Sequence, residues 1–377
     1  MTQPRILVLS VSAGTGHTRA AEALRVCAAE EQFGVIAIHL DILQFVTPLL
    51  RFIYTDAYIF MVRHLPTLWR HLYQTTNTAR RDALKHRLRR WAEQLNSRAL
   101  VKEIRKHKPD IIICTHFLPA ELLSRPLAVG TVVCPVWVQV TDFDLHCLWV
   151  HDHMAGYFAP NEEVAYRMRQ QGIAANRIFV TGIPIMPAFS QRFDRAACAR
   201  EIDISTDIPT LLLLGGGAGV GSVVEIAERL LALEGNVQII AMAGKDVATL
   251  GALKQLARRY PGRLAAQGYT GHIEKLMACA DLVVTKPGGL TTAESLAMGL
   301  PMIVIAPIPG QEEHNANFLL EQGAALKAFD LATLEYRVSY LLAHPSKLTA
   351  MRARARTLAC PDAARRALTI ALQKAEQ

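Results

Sequence analysis

The residue types best suited to chemistry lie in the stretch 285–294, Thr-Lys-Pro-Gly-Gly-Leu-Thr-Thr-Ala-Glu. The mainly apolar run 281–285 leads into this stretch and predicts a short buried strand. Pro287 and the two glycines end that strand, and the spacing of Ala, Leu and Met from Thr291 onward predicts a helix. Such a turn directs unpaired N–H groups and the positive end of the helix dipole at a bound anion. We therefore predict a diphosphate-binding turn at Gly288 and Gly289.

Polar side chains near this turn have the chemistry that sugar and ribose hydroxyls require. Glu294 follows the glycines by about one helical turn, where its carboxylate can accept hydrogen bonds from a ribose. Gln311 and Glu312 follow the apolar run 301–308, and a paired amide and carboxylate suit a hexose. These residues together predict a sugar-nucleotide site. The competing interpretation is that the glycines only close a turn, Glu294 is solvated, and Gln311 and Glu312 cap a helix.

A second glycine-rich loop occupies residues 211–222, Leu-Leu-Leu-Leu-Gly-Gly-Gly-Ala-Gly-Val-Gly-Ser, and contains Gly216 and Gly217. An apolar strand that opens into such a loop lets the backbone approach a phosphate closely. The spacing also resembles an NAD fingerprint, but the next strand, 237–244, ends without the acidic residue that NAD binding requires. A P-loop is disfavoured because no lysine followed by Ser or Thr closes the loop.

A third glycine turn, Ser-Ala-Gly-Thr-Gly-His at residues 12–17, follows the apolar run 6–11. His17 would lie at the start of the next helix, flanked by Gly14 and Gly16. An imidazole with an ordinary pKa near 6.5 can take a proton from a hydroxyl at neutral pH. The competing interpretation is that His17 only caps its helix.

Two sets of motifs, in the same order along the chain, resemble the diacylglycerol glycosyltransferases. That family comprises bacterial processive diacylglycerol glucosyltransferases and plant monogalactosyldiacylglycerol synthases, and a more distant relative adds N-acetylglucosamine to lipid I. The resemblance spans about residues 5 to 325. The residues that carry it are Ile6–His17 with Thr18–Leu24, Thr141-Asp-Phe, His146, Trp149, Asp152, Tyr157, Gly172, Thr181–Ile185, Gly268-Tyr-Thr, Asp281, Thr285–Gly289, Thr292, Glu294, Gly299–Pro301, Pro309–Glu312 and Asn315–Asn317.

The resemblance implies an α/β protein with the GT-B fold, in which two Rossmann-like domains face each other across a cleft. We expect residues 1–187 to bind the acceptor and the membrane, with a C-terminal helix at about 360–377 packed back on that domain. Residues 205–358 are expected to bind the UDP-sugar. The implied activity is that of an inverting hexosyltransferase, which moves a hexose from UDP-glucose or UDP-galactose to diacylglycerol or a glycosyl-diacylglycerol. Its expected location is the inner, cytoplasmic face of the cell membrane, where it is peripheral.

The resemblance also implies roles for individual residues. His17, as base or acceptor-positioning residue, and Asp142 would be catalytic, and Gly14, Gly16, His146 and Trp149 would contact the acceptor. No metal or other cofactor is expected. Asp142-Phe-Asp144 matches the Asp-x-Asp metal signature, but that signature belongs to a different glycosyltransferase architecture. His146, His151 and His153 could in principle bind zinc, but no cysteine or carboxylate set completes a ligand pattern. The expected donor-binding residues are Gly216, Gly217, Tyr269, Gly288, Gly289, Thr291, Thr292, Glu294, Gln311, Glu312 and Asn315.

Composition agrees with a two-domain globular protein. The 377 residues are 51% hydrophobic, and charged residues interrupt every apolar run before it reaches the length of a membrane span. The apolar start, 6–11, is too short for a signal sequence and predicts the first strand. Seven scattered cysteines without a Cys-x-x-Cys pair predict reduced thiols in a cytosolic protein.

Basic charge is concentrated in one segment. Between Arg80 and Lys108 there are eleven basic and three acidic residues, an excess equal to the net charge of +8 of the whole chain. Apolar residues recur there at helical spacing, which predicts a basic amphipathic helix or helix pair. The basic face of this helix could be solvated, or it could bind nucleic acid or an anionic membrane surface. The neighbouring segment, 45–73, is apolar, and this favours the membrane surface over nucleic acid, so we expect no nucleic-acid partner.

Apolar runs predict strands near 5–10, 35–39, 110–114, 131–139, 156–159, 178–181, 209–214, 237–243, 264–268, 281–285 and 301–305. Their alternation with helical patterns predicts two parallel sheets covered on both faces.

Two other functions stay open: transfer to a polyprenyl-linked acceptor, and a membrane- or nucleotide-binding protein without turnover. The sequence does not distinguish glucose from galactose as the donor sugar, because these epimers differ only in the direction of one hydroxyl.

Overall fold

The computed structural model describes residues 3–78, 97–215, 221–233 and 236–375. The chain divides into two compact units. The first consists of Met1–Pro187, Pro309–Gln311 and Cys360–Gln377, and the second of Ala188–Ile308 and Glu312–Ala359. Each unit has a six-stranded parallel sheet with helices packed against it. The α/β fold class predicted from the sequence is therefore confirmed.

The sheet of the first unit has the order β2-β1-β3-β4-β5-β6. Its direction of winding reverses between β1 and β3, so the loops after these two strands diverge and leave a crevice, the usual ligand position in such sheets. The strands are short and mostly apolar because helices cover both faces. They are β1 Arg5–Ser10, β2 Ile36–Asp41, β3 Ile111–Cys114, β4 Val136–Gln139, β5 Gly156–Ala159 and β6 Ile178–Val180.

Alternate residues of β1 supply two separate cores. Ile6 and Val8 pack in a cluster with Leu24 of the first helix and Leu368 of the last helix. Leu7 and Leu9 pack on the opposite face, with residues of the helices between β2 and β5. The helices of this unit are α1 Thr15–Ala28, α2 Pro48–Phe52, α3 Tyr58–His64, α4 Pro66–Thr78, α5 97–107, α6 Phe117–Ala128, α7 Glu162–Gln170 and, at the end of the chain, α16 Ala363–Ala375.

The segment from α2 to α4 carries much of the exposed apolar surface of the described residues. A π-helical turn, Ile53–Ala57, joins α2 to α3, and Leu65 with the following proline separates α3 from α4. Clustered exposure of large apolar residues marks an interaction surface. The exposed residues in this segment are Leu49, Phe52, Ile53, Ile59, Phe60, Leu65, Leu68 and Leu72.

The sheet of the second unit has the order β12-β11-β10-β7-β8-β9, which is the strand order of dinucleotide-binding sheets, and it reverses between β7 and β10. Its strands are β7 Thr210–Leu214, β8 Gln238–Met242, β9 Leu264–Gln267, β10 Leu282–Thr285, β11 Met302–Ile305 and β12 Ala325–Ala328. Its helices are α8 Arg195–Glu201, α9 Val223–Leu231, α10 Val247–Arg259, α11 Ile273–Cys279, α12 Gly289–Ala297, α13 Gln311–Glu321, α14 Leu331–Ala343 and α15 Pro345–Leu358.

Each of the eleven strands expected from apolar runs is confirmed, with shifts at the ends. The largest shift is at β4, which begins at Val136 rather than near residue 131 because Pro135 cannot donate a ladder hydrogen bond. Edge strand β12 was not predicted. Its sequence, Ala-Leu-Lys-Ala, has no β-branched residue, and its pairing with β11 determines its conformation.

The predicted basic helix lies largely outside the described residues, since only residues 97–108 of that segment are described. Residues 97–107 are helical. In the described part of the chain, no helix has the length and apolarity needed to cross a bilayer. All seven cysteines are free thiols.

Candidate active site

His17 lies at the switch point of the first sheet. It is the third residue of α1, which follows β1, and its ring reaches the residues that follow β3 and β4. Thr115 comes directly after β3, and its N–H continues the ladder by bonding to the Leu9 carbonyl at 2.9 Å. The fold therefore brings His17 to the carboxyl ends of three adjacent strands, the edge where Rossmann-like sheets bind ligands.

Two oxygens of the protein contact Nδ1 of His17. The Thr141 hydroxyl lies 2.8 Å away and the Thr115 carbonyl 3.1 Å away. A carbonyl can only accept, and the Thr141 hydroxyl itself donates to the same carbonyl at 3.4 Å. Nδ1 must therefore carry the proton, which leaves Nε2 of neutral His17 as the atom that can accept one.

Burial lowers the pKa of His17 below its ordinary value of 6.5, while the Asp142 carboxylate and the Thr115 carbonyl act in the opposite direction without offsetting it. The ring stands edge-on to His116, with ring centroids 4.5 Å apart, and 6.3 Å from Trp149. Burial and proximity to His17 lower the pKa of His116 well below its ordinary value. His17 is therefore neutral at pH 7 and able to act as a base.

Asp142, predicted to be catalytic, is buried near His17 and accepts a hydrogen bond from Gln311. The Gln311 amide nitrogen lies 2.8 Å from each carboxylate oxygen. The short segment Pro309–Gln311 groups with the first unit, and Gln311, predicted to bind the donor sugar, contacts the predicted catalytic residue Asp142 of that unit. The Gln311 amide positions this carboxylate, and the charge of the carboxylate opposes the larger effect of burial, which lowers the pKa of His17.

The second carboxylate of the Asp-x-Asp sequence has a different environment. Asp144 is buried and forms an ion pair with Arg167 of α7. Because Asp142 binds Gln311 and Asp144 binds Arg167, the two carboxylates serve different partners. Among the described residues, no group of three or more His, Cys, Asp or Glu side chains is arranged to hold a metal ion.

The predicted acceptor residues differ in their environments. His146 has both ring nitrogens bonded within the chain: Nδ1 accepts from the Leu148 N–H at 3.2 Å, and Nε2 lies 3.1 Å from the Tyr73 carbonyl. It therefore ties α4 to the loop after β4. Trp149 is buried beside His17 and His116.

The two glycines before His17 are part of the start of α1. Gly14 is the N-cap in an extended conformation, and a Cβ added there would meet no atom within 4 Å. Neither the backbone conformation nor packing within the chain requires glycine at this position. Gly16 lies in the first turn of α1, next to His17.

In the second unit, the predicted diphosphate turn lies at the switch point. Gly288 is the N-cap of α12 and Gly289 its first residue, directly after β10, which is adjacent to β7. The N-cap residue is a glycine and has no side chain with which to cap the helix, so the first N–H groups and the positive end of the dipole lie at the switch point. This geometry agrees with the predicted diphosphate-binding turn at Gly288 and Gly289.

Polar residues are buried along α12. Thr292 and Ser295 are fully buried, and their hydroxyls have no hydrogen-bond partner among the described residues. Glu294 is also buried, at 5% exposure, whereas Thr291 is partly exposed. Unpartnered buried hydroxyls are uncommon in proteins and call for an explanation. Thr292 lies about one turn from Gly289 and Ser295 nearly two turns, which agrees with a polar ligand site at this end of α12.

Glu312 lies beside the same turn. Its Oε2 accepts a hydrogen bond from the Ile308 N–H at 2.7 Å, and its Oε1 lies 3.7 Å from the position of a Cβ added to Gly288. The loops after β10 and β11 therefore meet at one carboxylate. Asn315, one turn further along α13, is fully buried.

The remaining predicted donor residues lie elsewhere or outside the described residues. Gly216 and Gly217 are outside them. Gly215, just before, follows β7 with a φ of +76°, a left-handed conformation that favours glycine. Tyr269 is 65% exposed after β9, with the Lys245 ammonium 5.2 Å from its ring centre.

Sequence reasoning did not identify Thr115, Thr141 and His116 as site residues. Thr115 and His116 directly follow β3, and Thr141 lies two residues beyond the end of β4. Polar residues just after buried strands are a usable signal, because the carboxyl ends of parallel strands carry the site. The contact of Thr115 with His17 could be inferred only from the pairing of β1 with β3.

Solved structures share this fold. MurG from Acinetobacter baumannii matches with a TM-score of 0.58 and 17% identity over 99% of this chain and 100% of that chain. HepE from Anabaena, solved with UDP-glucose, matches with a TM-score of 0.55 and 14% identity over 99% of this chain and 98% of that chain. At these identities, the matches establish the GT-B fold.

Family models and curated relatives establish the family. Residues 17–185 match monogalactosyldiacylglycerol (MGDG) synthase, and residues 210–367 match the glycosyltransferase family 28 C-terminal domain. The processive diacylglycerol beta-glucosyltransferase of Bacillus licheniformis is 32% identical over 75% of this chain and 73% of its own length. That of Bacillus mycoides is 26% identical over 96% of this chain and 91% of its own. The chain therefore belongs to the diacylglycerol glycosyltransferase family and is a GT-B glycosyltransferase.

Proposed function

We propose that the protein transfers a hexose from a UDP-sugar to the hydroxyl of diacylglycerol or of a glycosyl-diacylglycerol at a membrane surface. The observation that carries this proposal is the state of His17, whose Nδ1 is held by Thr115 and Thr141 so that Nε2 can accept a proton. The family supplies the substrate class, because the relatives are named diacylglycerol glucosyltransferases. Those names also favour glucose as the sugar.

The reaction begins at the acceptor hydroxyl. Its oxygen attacks C1 of the sugar while its proton passes to Nε2 of His17. Asp142 contributes charge that favours the resulting imidazolium, as its effect on the pKa of His17 indicates. Gln311 holds that carboxylate in place.

The bond from C1 to the diphosphate oxygen breaks as the new bond forms, and UDP leaves with the bonding electron pair. We assign the diphosphate to the N-terminus of α12 at Gly288 and Gly289, where the positive end of the helix dipole favours the added negative charge. Glu294 is assigned to the ribose and Glu312 to the sugar. Because backbone dipoles perform this role and both Asp-x-Asp carboxylates have protein partners, we propose a metal-independent reaction.

We propose that the reaction inverts the configuration at C1. UDP-hexoses carry an α linkage, and the relatives are named for β-glucosyl transfer, so a single displacement gives their product. The arrangement also fits a single displacement because it provides a base for the acceptor. The exposed apolar residues of α2 to α4 support peripheral attachment to the bilayer that contains the acceptor.

The direct test is release of UDP by purified protein with diacylglycerol vesicles, using UDP-glucose and UDP-galactose in separate reactions. Product lipids are separated by chromatography and their anomeric linkage is read by NMR. We expect a β-linked glycolipid. A polyprenyl-linked acceptor offered in parallel tests the alternative substrate. Absence of UDP release with every acceptor would refute the proposed activity.

His17→Ala tests the base. We expect turnover to fall by roughly 10³-fold, within the range for loss of a general base, while UDP affinity stays close to that of the wild type. His146→Ala is a useful comparison because that ring is bonded within the chain on both nitrogens. Calorimetry with UDP and the UDP-release assay measure the two effects. Equal loss of binding and turnover in His17→Ala would place His17 outside the catalytic step.

A further inference from the structure

His116 lies beside His17 and has a hydrogen-bond donor without an acceptor among the described residues. The two rings stand edge-on, with centroids 4.5 Å apart. We propose that the Nε2–H group of His116 donates to an ester carbonyl of diacylglycerol next to the reacting hydroxyl, so that this residue determines specificity for an acylated glycerol. The inference rests on the proposed function and deepens it by assigning one contact to the acceptor.

The position of the donor follows from the start of a helix. His116 is the N-cap of α6, and its Nδ1 accepts a hydrogen bond from the Leu118 N–H at 3.1 Å. Burial and the nearby His17 keep the ring of His116 neutral at pH 7. A neutral imidazole that accepts at Nδ1 carries its proton on Nε2. His116 and His17 are therefore opposite tautomers, because Nε2 of His116 donates and Nε2 of His17 accepts.

This donor needs an acceptor from outside the described chain. His116 is only 4% exposed, and the bond to Leu118 is its one hydrogen bond in the part of the chain that the structure describes. A buried N–H group that lacks an acceptor is unfavourable. The ring centres of Phe117 and Trp149 lie 4.1 and 6.2 Å from that of His116. A hydrogen bond to a ligand is strengthened in such apolar surroundings.

Diacylglycerol carries a group that matches this donor. Its reacting hydroxyl must reach Nε2 of His17, and the adjacent glycerol carbon carries an ester. A carbonyl accepts but cannot donate, so it needs a donor when it leaves water. The short distance between the two rings allows one hydroxyl and the neighbouring carbonyl to be bound together. His17 would then bind the oxygen that reacts, and His116 the oxygen that identifies the lipid.

His116 also lies next to the apolar segment of the first unit. Its ring centre is 6.1 Å from that of Tyr54, which belongs to the turn between α2 and α3. Phe52 and Ile53, just before Tyr54, are exposed. A lipid that enters from this segment therefore reaches His116 and His17 in one pocket, with its acyl chains on the apolar side.

The test measures the binding of two short-chain lipids by calorimetry at saturating UDP. Dihexanoylglycerol is the diester, and dihexylglycerol is a diether that keeps the hydroxyl and lacks both carbonyls. We expect the wild type to bind the diester about 10-fold more tightly, in line with one buried hydrogen bond. His116→Asn and His116→Phe are expected to lose this preference and to retain the wild-type affinity for UDP.

The two variants separate the donor from the other roles of His116. Asparagine is a favourable N-cap that keeps an acceptor for the Leu118 N–H, but it is too short to place a donor at the position of Nε2. Phenylalanine keeps a ring against His17 and has no polar atom. A wild-type preference in His116→Asn would reduce His116 to a helix cap, and the same result in His116→Phe would reduce it to a packing role.

Other outcomes would also overturn the ester contact. These are equal affinity of the wild type for the two lipids, and equal losses for both lipids in the variants. A diester preference that depends on His116, in a protein that releases no UDP, would refute the transfer reaction and support this contact. Release of UDP without such a preference would do the reverse. Thermal melting of each variant checks that the fold is intact.

Discussion

At the scale of single residues, the environment of His17 determines which of its nitrogens is basic. Thr141 and the Thr115 carbonyl both lie at Nδ1, and Thr115 also donates its hydroxyl to the His17 carbonyl at 2.9 Å. These contacts fix the tautomer and the ring orientation before any substrate binds. Preorganisation of this kind lowers the cost of reaching the transition state. His17 thus depends on two residues that never need to touch the acceptor.

Thr141→Val tests this dependence, because the substitution keeps the shape and removes the hydroxyl. An acceptor at Nδ1–H stabilises the imidazolium more than the neutral ring, so its loss lowers the pKa of His17 further. In the mechanism we propose, activity needs neutral His17, so it falls as the pH drops through the pKa of His17. We therefore expect the acid limb of the kcat/KM profile to move to lower pH, with kcat reduced about 10-fold because the ring is less well oriented.

Thr141→Ser is the matched control, since it keeps the hydroxyl and removes only a methyl group. We expect it to retain most of the wild-type kcat and the wild-type pH profile. If Thr141→Val had an unchanged profile together with a lowered melting temperature, Thr141 would have a packing role and no part in positioning His17.

At the scale of elements, one motif residue has a structural task. Asp281 precedes β10 and lies at the amino end of the strand, away from the glycine turn. Its carboxylate receives two hydrogen bonds from Arg195 of α8, at 2.7 and 2.8 Å, and one from Arg352 of α15 at 3.1 Å. It therefore joins two helices to the sheet. Asp281 is one of the residues that carry the resemblance to the family, and this structural role accounts for it without a contact between Asp281 and the donor.

Asp281→Asn is expected to lower the stability of the second unit by about 2 kcal/mol, since a partly buried, multiply bonded charge is lost. Burial alone would raise the pKa of Asp281, but the bonds from Arg195 and Thr210 hold it below the ordinary value of 3.8. In the wild type, the ionised Asp281 carboxylate stabilises the folded state fully above the ordinary carboxyl pKa of 3.8. This contribution is lost as the pH falls through the lowered pKa of Asp281 in the folded protein. Thermal melting of both proteins from pH 3 to 7 measures the effect, and convergence at low pH is expected.

The elements also explain how far sequence reasoning reached. Strands and glycine turns follow from local patterns, and sites at the ends of parallel strands follow from the fold class. Contacts between distant segments do not: Thr115 reaches His17 across 98 residues, and Gln311 reaches Asp142 across 169. The sequence suggested that Gln311 binds a sugar because its amide suits hydroxyls. The same amide suits a carboxylate equally well, and only the structure identifies that partner.

At the scale of the whole molecule, large apolar side chains are exposed on α2 to α4 of the first unit. We propose that this surface attaches the protein to the bilayer. Insertion of apolar side chains does not require anionic headgroups, so the contribution of this surface can be measured on neutral bilayers.

Phe52→Ser/Phe60→Ser tests the apolar contribution. The two side chains are 54% and 56% exposed, so their loss removes apolar surface with little effect on packing. We expect weaker partition onto pure phosphatidylcholine vesicles, by about 10-fold or more. Phe329→Ser/Tyr336→Ser, at similarly exposed positions of the second unit, serves as control. Sedimentation of vesicles measures both, and an equal response of the two variants would argue against apolar insertion through α2 to α4.

The position of α16 has a consequence for synthesis of the chain. Ala364, Ala367, Leu368 and Ala371 complete the core that contains Ile6 and Val8. During synthesis, the face of β1 that carries Ile6 and Val8 therefore stays uncovered until the residues of α16 have been translated. A fragment that ends at Pro187 lacks this helix, so it exposes that apolar face and is expected to aggregate.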